Sequence, residues 1–325
     1  MVERDNRGRF APKETPTIEE RLHKEKHHFR IDDFATELGV GTVVVQRVID
    51  ELKEKGYVFD QTPDGKIVKA TSILDGTGKI DMRPVFAGDN VLRFGVVADS
   101  HLGSKKERLQ ELNSTYDRFQ REGITTVFNA GDVTEGVGVY RGQEYEVHKH
   151  GQDEQIDYAI KAYPKRDGIT TYTISGNHDL RQTERGGIDP LIPISRQRKD
   201  IVYMGQMVSM AQIADNLWAE IIHPAGGGAY ALSYKAQRDI NNRVPENLPD
   251  ILMYGHYHHS YYMYYRNIHF LQVPCFKDAG GWERRLGLNP TIGAWIVEAK
   301  IGDGEGGARI ESFTPQLHTY STARK

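Results

Sequence analysis

Cysteine is almost missing from this chain: 325 residues contain only Cys275. A lone thiol excludes an internal disulfide and fits a reducing compartment. No run approaches 18 uninterrupted apolar residues, so no membrane-spanning helix is expected. The opening MVERDNRGRFAPKE has no apolar segment of the secretory kind, which makes cytoplasm the default location. Neither charge dominates, with 42 Lys and Arg against 45 Asp and Glu, so there is no global electrostatic case for nucleic acid. What remains is an ordinary globular composition, 38% hydrophobic and 27% charged, long enough for one large domain and a small one.

The strongest pattern is a repeated device. ITTYTISGNHD, from Ile169 to Asp179, is a β-branched and aromatic run that stops at Ser175-Gly176 and then sets out Asn177, His178 and Asp179. Val91–Ala98 ends in Asp99-Ser100-His101, and Ile124–Ala130 in Gly131-Asp132. Leu217–Ile222 ends in His223-Pro224, and Asp250–Tyr254 in Gly255-His256-Tyr257-His258. Near-continuous apolar runs bounded by Gly read as buried parallel strands, and open α/β sheets bind ligands beyond the C-terminal ends of their strands. Five such runs suggest one polar pocket at one edge of one sheet. Helix-like segments at Lys105–Gln120 and Gln152–Ala162 serve as crossovers, so the fold class is α/β. The long polar loop Val133–Gly151 is of a length more often functional than idle.

Upstream lies a different pattern. Thr17–Glu20 resembles a capped helix start, Ile31–Leu38 predicts a short helix ending at Gly39, and Thr42 is placed as the N-cap of a helix running to Lys55. On that helix Val45, Val48, Ile49 and Leu52 form an inward stripe. Tyr57–Asp60 and Lys66–Lys69 flank a Pro-Asp-Gly turn, predicting a hairpin. This order, with ELGVGTVVVQRVIDELKEKGYV, resembles a winged helix-turn-helix. Thr42, Gln46 and Arg47 are its candidate DNA-contacting residues. Against DNA stands the charge of residues 1–70, 13 Lys and Arg to 14 Asp and Glu; a protein-contact or oligomerisation module is the alternative. The expected plan is a disordered arm at 1–15, the winged-helix domain at 16–70, a linker with one short strand at 71–90, the main domain at 91–315 and a tail at 316–325.

If the five strand ends converge, the pocket holds Asp99, His101, Asp132, Asn177, His223, His256 and His258. Four crowded imidazoles repel one another if protonated, and neutral imidazole with carboxylate is a divalent-metal donor set. Seven donors are too many for one tetrahedral site and suit two cations sharing a carboxylate.

In order, Asp99-x-His101, Gly131-Asp132, Gly176-Asn177-His178-Asp179, His223 and Gly255-His256-x-His258 resemble the five motifs of the calcineurin-like metallophosphoesterases, and more narrowly the repair-nuclease branch. The resemblance implies a four-layer α/β/β/α sandwich. It places Asp99, His101 and His258 on a first metal, Asn177, His223 and His256 on a second, and Asp132 between them. It further implies attack by a hydroxide held between the metals, with His178 as general acid and Asp179 as its orienter or, alternatively, a helix cap. Manganese is favoured by the resemblance, while the donors also admit iron, zinc or nickel. Tyr140, Arg141, His148 and His150 of the long loop are candidate substrate contacts. The expected function is phosphodiester hydrolysis by a DNA nuclease, with self-association left open. The alternatives are a phosphatase or cyclic-nucleotide phosphodiesterase whose small domain binds protein, and a DNA-binding regulator with an inert hydrolase domain.

Overall fold

Gly39, with φ 67°, turns the chain out of helix α1 (Ile31–Leu38), and the N–H groups of Gly39 and Val40 satisfy the last carbonyls of that helix at Thr36 and Ala35. The computed structural model describes residue 18 and residues 30–54, 58–61, 67–70, 78–83, 85–86, 90–183, 186–243, 248–285, 287–304 and 307–321. The chain divides into two compact units, Met1–Ser72 and Ile73–Lys325. In the first, α1 is followed by α2 (Thr42–Glu54) and by strands β1 (Val58–Gln61) and β2 (Ile67–Ala70), paired antiparallel. Phe34, Ala35, Val45 and Ile49 are its buried core, and Val48 packs half-buried against them. The stripe expected on α2 therefore does face inward where it is described. The expected arm at 1–15, most of the helix start at Thr17–Glu20 and the turn at 62–65 lie outside the described residues.

The second unit contains β3 (Gly78–Asp81), β4 (Val91–Val97), α3 (Leu109–Arg121), β5 (Thr126–Asn129), α4 (Gln152–Ala162), β6 (Thr170–Ser175), α5 (Asn177–Leu180), α6 (Leu191–Gln197), β7 (Ile201–Gln206), β8 (Val208–Ala214) and β9 (Leu217–Ile222). It continues with α7 (Tyr234–Asn242), β10 (Ile251–Tyr254), β11 (Tyr261–Tyr265), β12 (Ile268–Gln272), α8 (Gly281–Arg285), β13 (Ile292–Gly304) and β14 (Gly307–Tyr320). Two six-stranded sheets result, ordered β11-β12-β10-β9-β8-β3 and β14-β13-β4-β5-β6-β7.

Strands buried on both faces explain the near-continuous apolar runs, and β5 is buried at every residue. Between the sheets, Phe94, Phe128, Ile174 and Met204 from one meet Ala219, Ile221, Met253 and Leu271 from the other. Truncating a fully buried ring such as Phe128 to Ala costs about 3–5 kcal/mol. Leu112, Tyr116 and Phe119 of α3, spaced i, i+4 and i+7, cover the outer face of the second-listed sheet beside Ala159 of α4 and Ile194 of α6. Ala236 and Ile240 of α7 cover the outer face of the other. Helices, sheet, sheet and helix make the four expected layers.

The short strand expected within 71–90 is β3, and it pairs in parallel with β8, which brings it into a sheet of the main domain. One expectation changes. The loose tail expected from 316 is strand as far as Tyr320, paired with β13 so that Tyr320 lies opposite Ile292.

Candidate metal centre

Each motif lies just beyond a strand. Asp99 and His101 follow β4, Asp132 follows β5, Asn177 opens α5 after β6, His223 is the residue after β9, and His256 and His258 follow β10. The expectation of a single sheet edge needs correcting: β4, β5 and β6 belong to one sheet, β9 and β10 to the other. The pocket forms where the strand ends of two sheets meet.

The backbone here is bent in an uncommon way. Asp99, His101, Asp132, His256 and His258 all have positive φ, between 48° and 74°. For residues with a Cβ this left-handed conformation costs on the order of 1–3 kcal/mol each, and it collects at functional sites. Crowding explains two of the motif glycines. A Cβ on Gly176 would lie 2.1 Å from Asp132 Oδ1, and one on Gly255 would lie 2.3 Å from the Ala130 carbonyl oxygen.

The donor atoms converge. His101 Nε2 lies 3.1 Å from His258 Nε2 and 3.8 Å from both Asp99 Oδ1 and Asp132 Oδ2. His258 Nε2 is 3.3 Å from Asp99 Oδ1. On the other side His223 Nε2 stands 3.1 Å from Asp132 Oδ2 and 3.0 Å from Asn177 Oδ1. Ligand atoms of Asp99, His101 and His258 lie within 4.8 Å of one another, as do those of Asp132, His223 and His256. Asp132 touches both groups, the position a bridging carboxylate requires. His223 Nδ1 donates to the Ala130 carbonyl at 2.8 Å, and the Asp99 carboxylate accepts the His256 N–H at 2.9 Å, so the groups are held from behind.

Charge is balanced within the cluster. Burial by itself would depress the His223 pKa, but Asp132 beside it raises it to about 9. Burial, reinforced by His178, lowers that of His101 to about 4. Against the effect of burial, His223 and His178 draw Asp132 well below the usual carboxylate range. Two imidazole nitrogens face each other at 3.1 Å among carboxylates, an arrangement that neutral rings can offer to a cation in place of a shared proton. Divalent cations fit this donor set.

Residues 92–260 match the family model described as calcineurin-like phosphoesterase. The chain belongs to that family. It is similar to the DNA polymerase II small subunits of Archaeoglobus fulgidus, 24% identical over 73% of this chain and 59% of that one, and of Methanocaldococcus jannaschii, 25% identical over 66% and 44%. The chain thus spans about half the length of these curated relatives. Among solved structures it resembles one described as a novel archaeal phosphodiesterase, with 15% identity over 70% of this chain and all of that one and a TM-score of 0.40. Zinc-complexed Vps29 of Entamoeba histolytica is similar over 70% of this chain and 99% of that one, with 13% identity and a TM-score of 0.35.

His178 adjoins the donors. His178 Nδ1 donates to the Glu135 carbonyl at 2.7 Å, and its ring lies edge-on to His101 at 4.5 Å. Asp179 does not orient it. The Asp179 carboxylate instead accepts N–H groups from Val133, Thr134 and Gly176 and the Thr134 hydroxyl, at 2.7–3.1 Å. The catalytic expectation for Asp179 therefore gives way to its alternative, a cap that ties the Asp132 loop to α5. Burial, with Asp132 nearby, lifts its pKa to about 7 despite those donors.

A cavity of about 680 Å³ opens over the cluster, lined by His101, Asp132, Asn177, His178, His256 and His258 together with Tyr140, Tyr257 and Lys277. Of the four loop residues proposed for substrate, only Tyr140 lines it, and its hydroxyl reaches Glu146 at 3.0 Å. His148 pairs with Glu107 at 3.3 Å, and Arg141 and His150 are exposed away from the cavity wall. In the first unit Thr42, Gln46 and Arg47 do share one surface cleft, but with Asp32 and Asp50, and Gln46 bonds Asp50 at 2.9 Å. Two buried groups were not anticipated, Glu135 and Lys277. Glu135 follows Asp132 by three residues, and that spacing was the one signal that could have found it.

Proposed function

We propose that this chain is a two-metal phosphodiesterase acting on nucleic acid, a nuclease in which manganese is the favoured cation. The observation carrying the reading is Asp132, which lies beside two groups of donors, each drawn from both sheets. Two divalent cations bound there would supply activation of water and neutralisation of phosphoryl charge. Asp99, His101 and His258 would hold one, and Asn177, His223 and His256 the other. His178 is tethered through Nδ1 to the Glu135 carbonyl, which leaves Nε2 to carry a proton to the leaving oxygen. A cavity of about 680 Å³ is roomy enough for a nucleotide unit. Relatives named as small subunits of a DNA polymerase favour DNA over other phosphodiesters.

The acidic residues beside Arg47 favour a second reading for the first unit alone. Asp32 and Asp50 in the same cleft suit a protein surface better than a phosphate backbone. One assay panel tests the nuclease reading: purified protein with added manganese on single-stranded DNA, duplex DNA, cyclic nucleotides and phosphomonoesters. DNA cleavage abolished by Asp132→Asn supports the nuclease, and monoesters as much the best substrates would sink it.

A further inference from the structure

His101 is, with His223, one of the two buried imidazole donors, and one of its nitrogens has a carboxylate neighbour that the proposed chemistry does not use. Nε2 faces the donor cluster. Nδ1 is buried without any hydrogen-bond partner of good geometry among the described residues, yet it lies 3.0 Å from Glu135 Oε2. Glu135 is fully buried, and a carboxylate in that setting is strongly destabilised unless a cation accompanies it. Lys277, itself 1% exposed, stands 3.2 Å from Glu135 Oε2 and 3.3 Å from Oε1. The same ammonium lies 2.9 Å from Glu283 Oε1 at α8, whose first turn is fixed by the Gly280 N–H bonding Glu283 Oε2 at 3.0 Å. The loop after β5, the segment after β12 and α8 are thereby joined to one donor side chain.

We propose that Glu135 is a positioning residue for His101: it keeps the proton on Nδ1 so that Nε2 presents its lone pair to a divalent cation, while Lys277 and Glu283 keep Glu135 in place. The physical logic is general. A ligating imidazole donates its second N–H to a carboxylate, which fixes the tautomer and the ring and strengthens the ligand. Here the carboxylate is too deep to be solvated, so its own counterion must be built in. The inference rests on the metal-centre reading above.

The test is titration of Mn2+ into chelator-stripped full-length protein, with free Mn2+ read by electron paramagnetic resonance. Wild type should show two sites. Glu135→Gln should weaken one of them by about 10–100-fold and leave the other near wild type. Because that variant strands the Lys277 charge, Glu135→Gln with Lys277→Met serves as the partner variant. The pair removes both buried charges and should melt closer to wild type, but its Mn2+ affinity should stay weak. Wild-type affinity at both sites in Glu135→Gln, or affinity regained along with stability in the double variant, would show Glu135 to be merely structural and overturn the inference. Wild-type protein that binds no Mn2+ overturns the metal-centre reading itself and this inference with it.

Discussion

His178 and Glu135 are joined by a 2.7 Å hydrogen bond from the imidazole Nδ1 to a backbone carbonyl, not to a carboxylate. The imidazole is thus aimed by a neutral acceptor, while one of its ring nitrogens lies within 4.8 Å of an Asp132 carboxylate oxygen. His178→Ala should retain cation binding and slow phosphodiester turnover by roughly 10²–10⁴, the usual range for a lost proton donor. Steady-state rates with manganese in excess decide it, and undiminished turnover removes His178 from the chemistry.

Its neighbour should behave differently. Asp179 accepts four donors from two segments of chain, so Asp179→Asn leaves some of them unsatisfied in the interior. We expect a loss of about 1–3 kcal/mol in stability, seen as a lowered urea midpoint. A variant of unchanged stability but lost turnover would restore the catalytic role that the geometry denies Asp179.

Gly176 tests the crowding around the bridging carboxylate. An added methyl 2.1 Å from Asp132 Oδ1 must push that side chain or its loop aside. Gly176→Ala should lower stability by roughly 1–3 kcal/mol and weaken cation binding, since Asp132 faces both groups. Calorimetric titration of the variant with Mn2+ checks this, and wild-type affinity would show the contact to be slack.

Far from the cluster, His269 is stacked on Phe313 at 4.1 Å and meets the Tyr262 hydroxyl at 3.0 Å. Burial lowers its pKa to about 4. The unfolded chain, with histidine near 6.5, then binds more protons than the fold between about pH 6.5 and 4. The stability from neutral His269 is complete above that window and is lost as pH falls through it. His269→Phe should flatten this part of the stability profile, measured by thermal melts at stepped pH, and an unchanged slope contradicts the assignment.

Much of the centre could be read from the chain because strand-ending motifs combine two local signals, an apolar run and a polar cluster behind glycine. β5 and β6 carry both, and their donors lie where expected. Which sheet each strand joins is not local, so β4 and β9 read alike although they belong to different layers. No motif marks β7 or β8, although VSMAQIA alternates and its burial alternates with it. The loop histidines His148 and His150 were attractive only by type, and type does not tell where a side chain points. Glu135 and Lys277, more than 140 positions apart in the chain, meet only after folding.

The most direct measurement is the metal content of purified protein, saturated with Mn2+ and freed of excess by gel filtration, beside Asp132→Asn treated alike. Two equivalents per chain in the wild type and a marked loss in the variant are expected from a carboxylate shared between two sites. No bound metal in the wild type, or equal content in both proteins, would contradict a centre organised around Asp132.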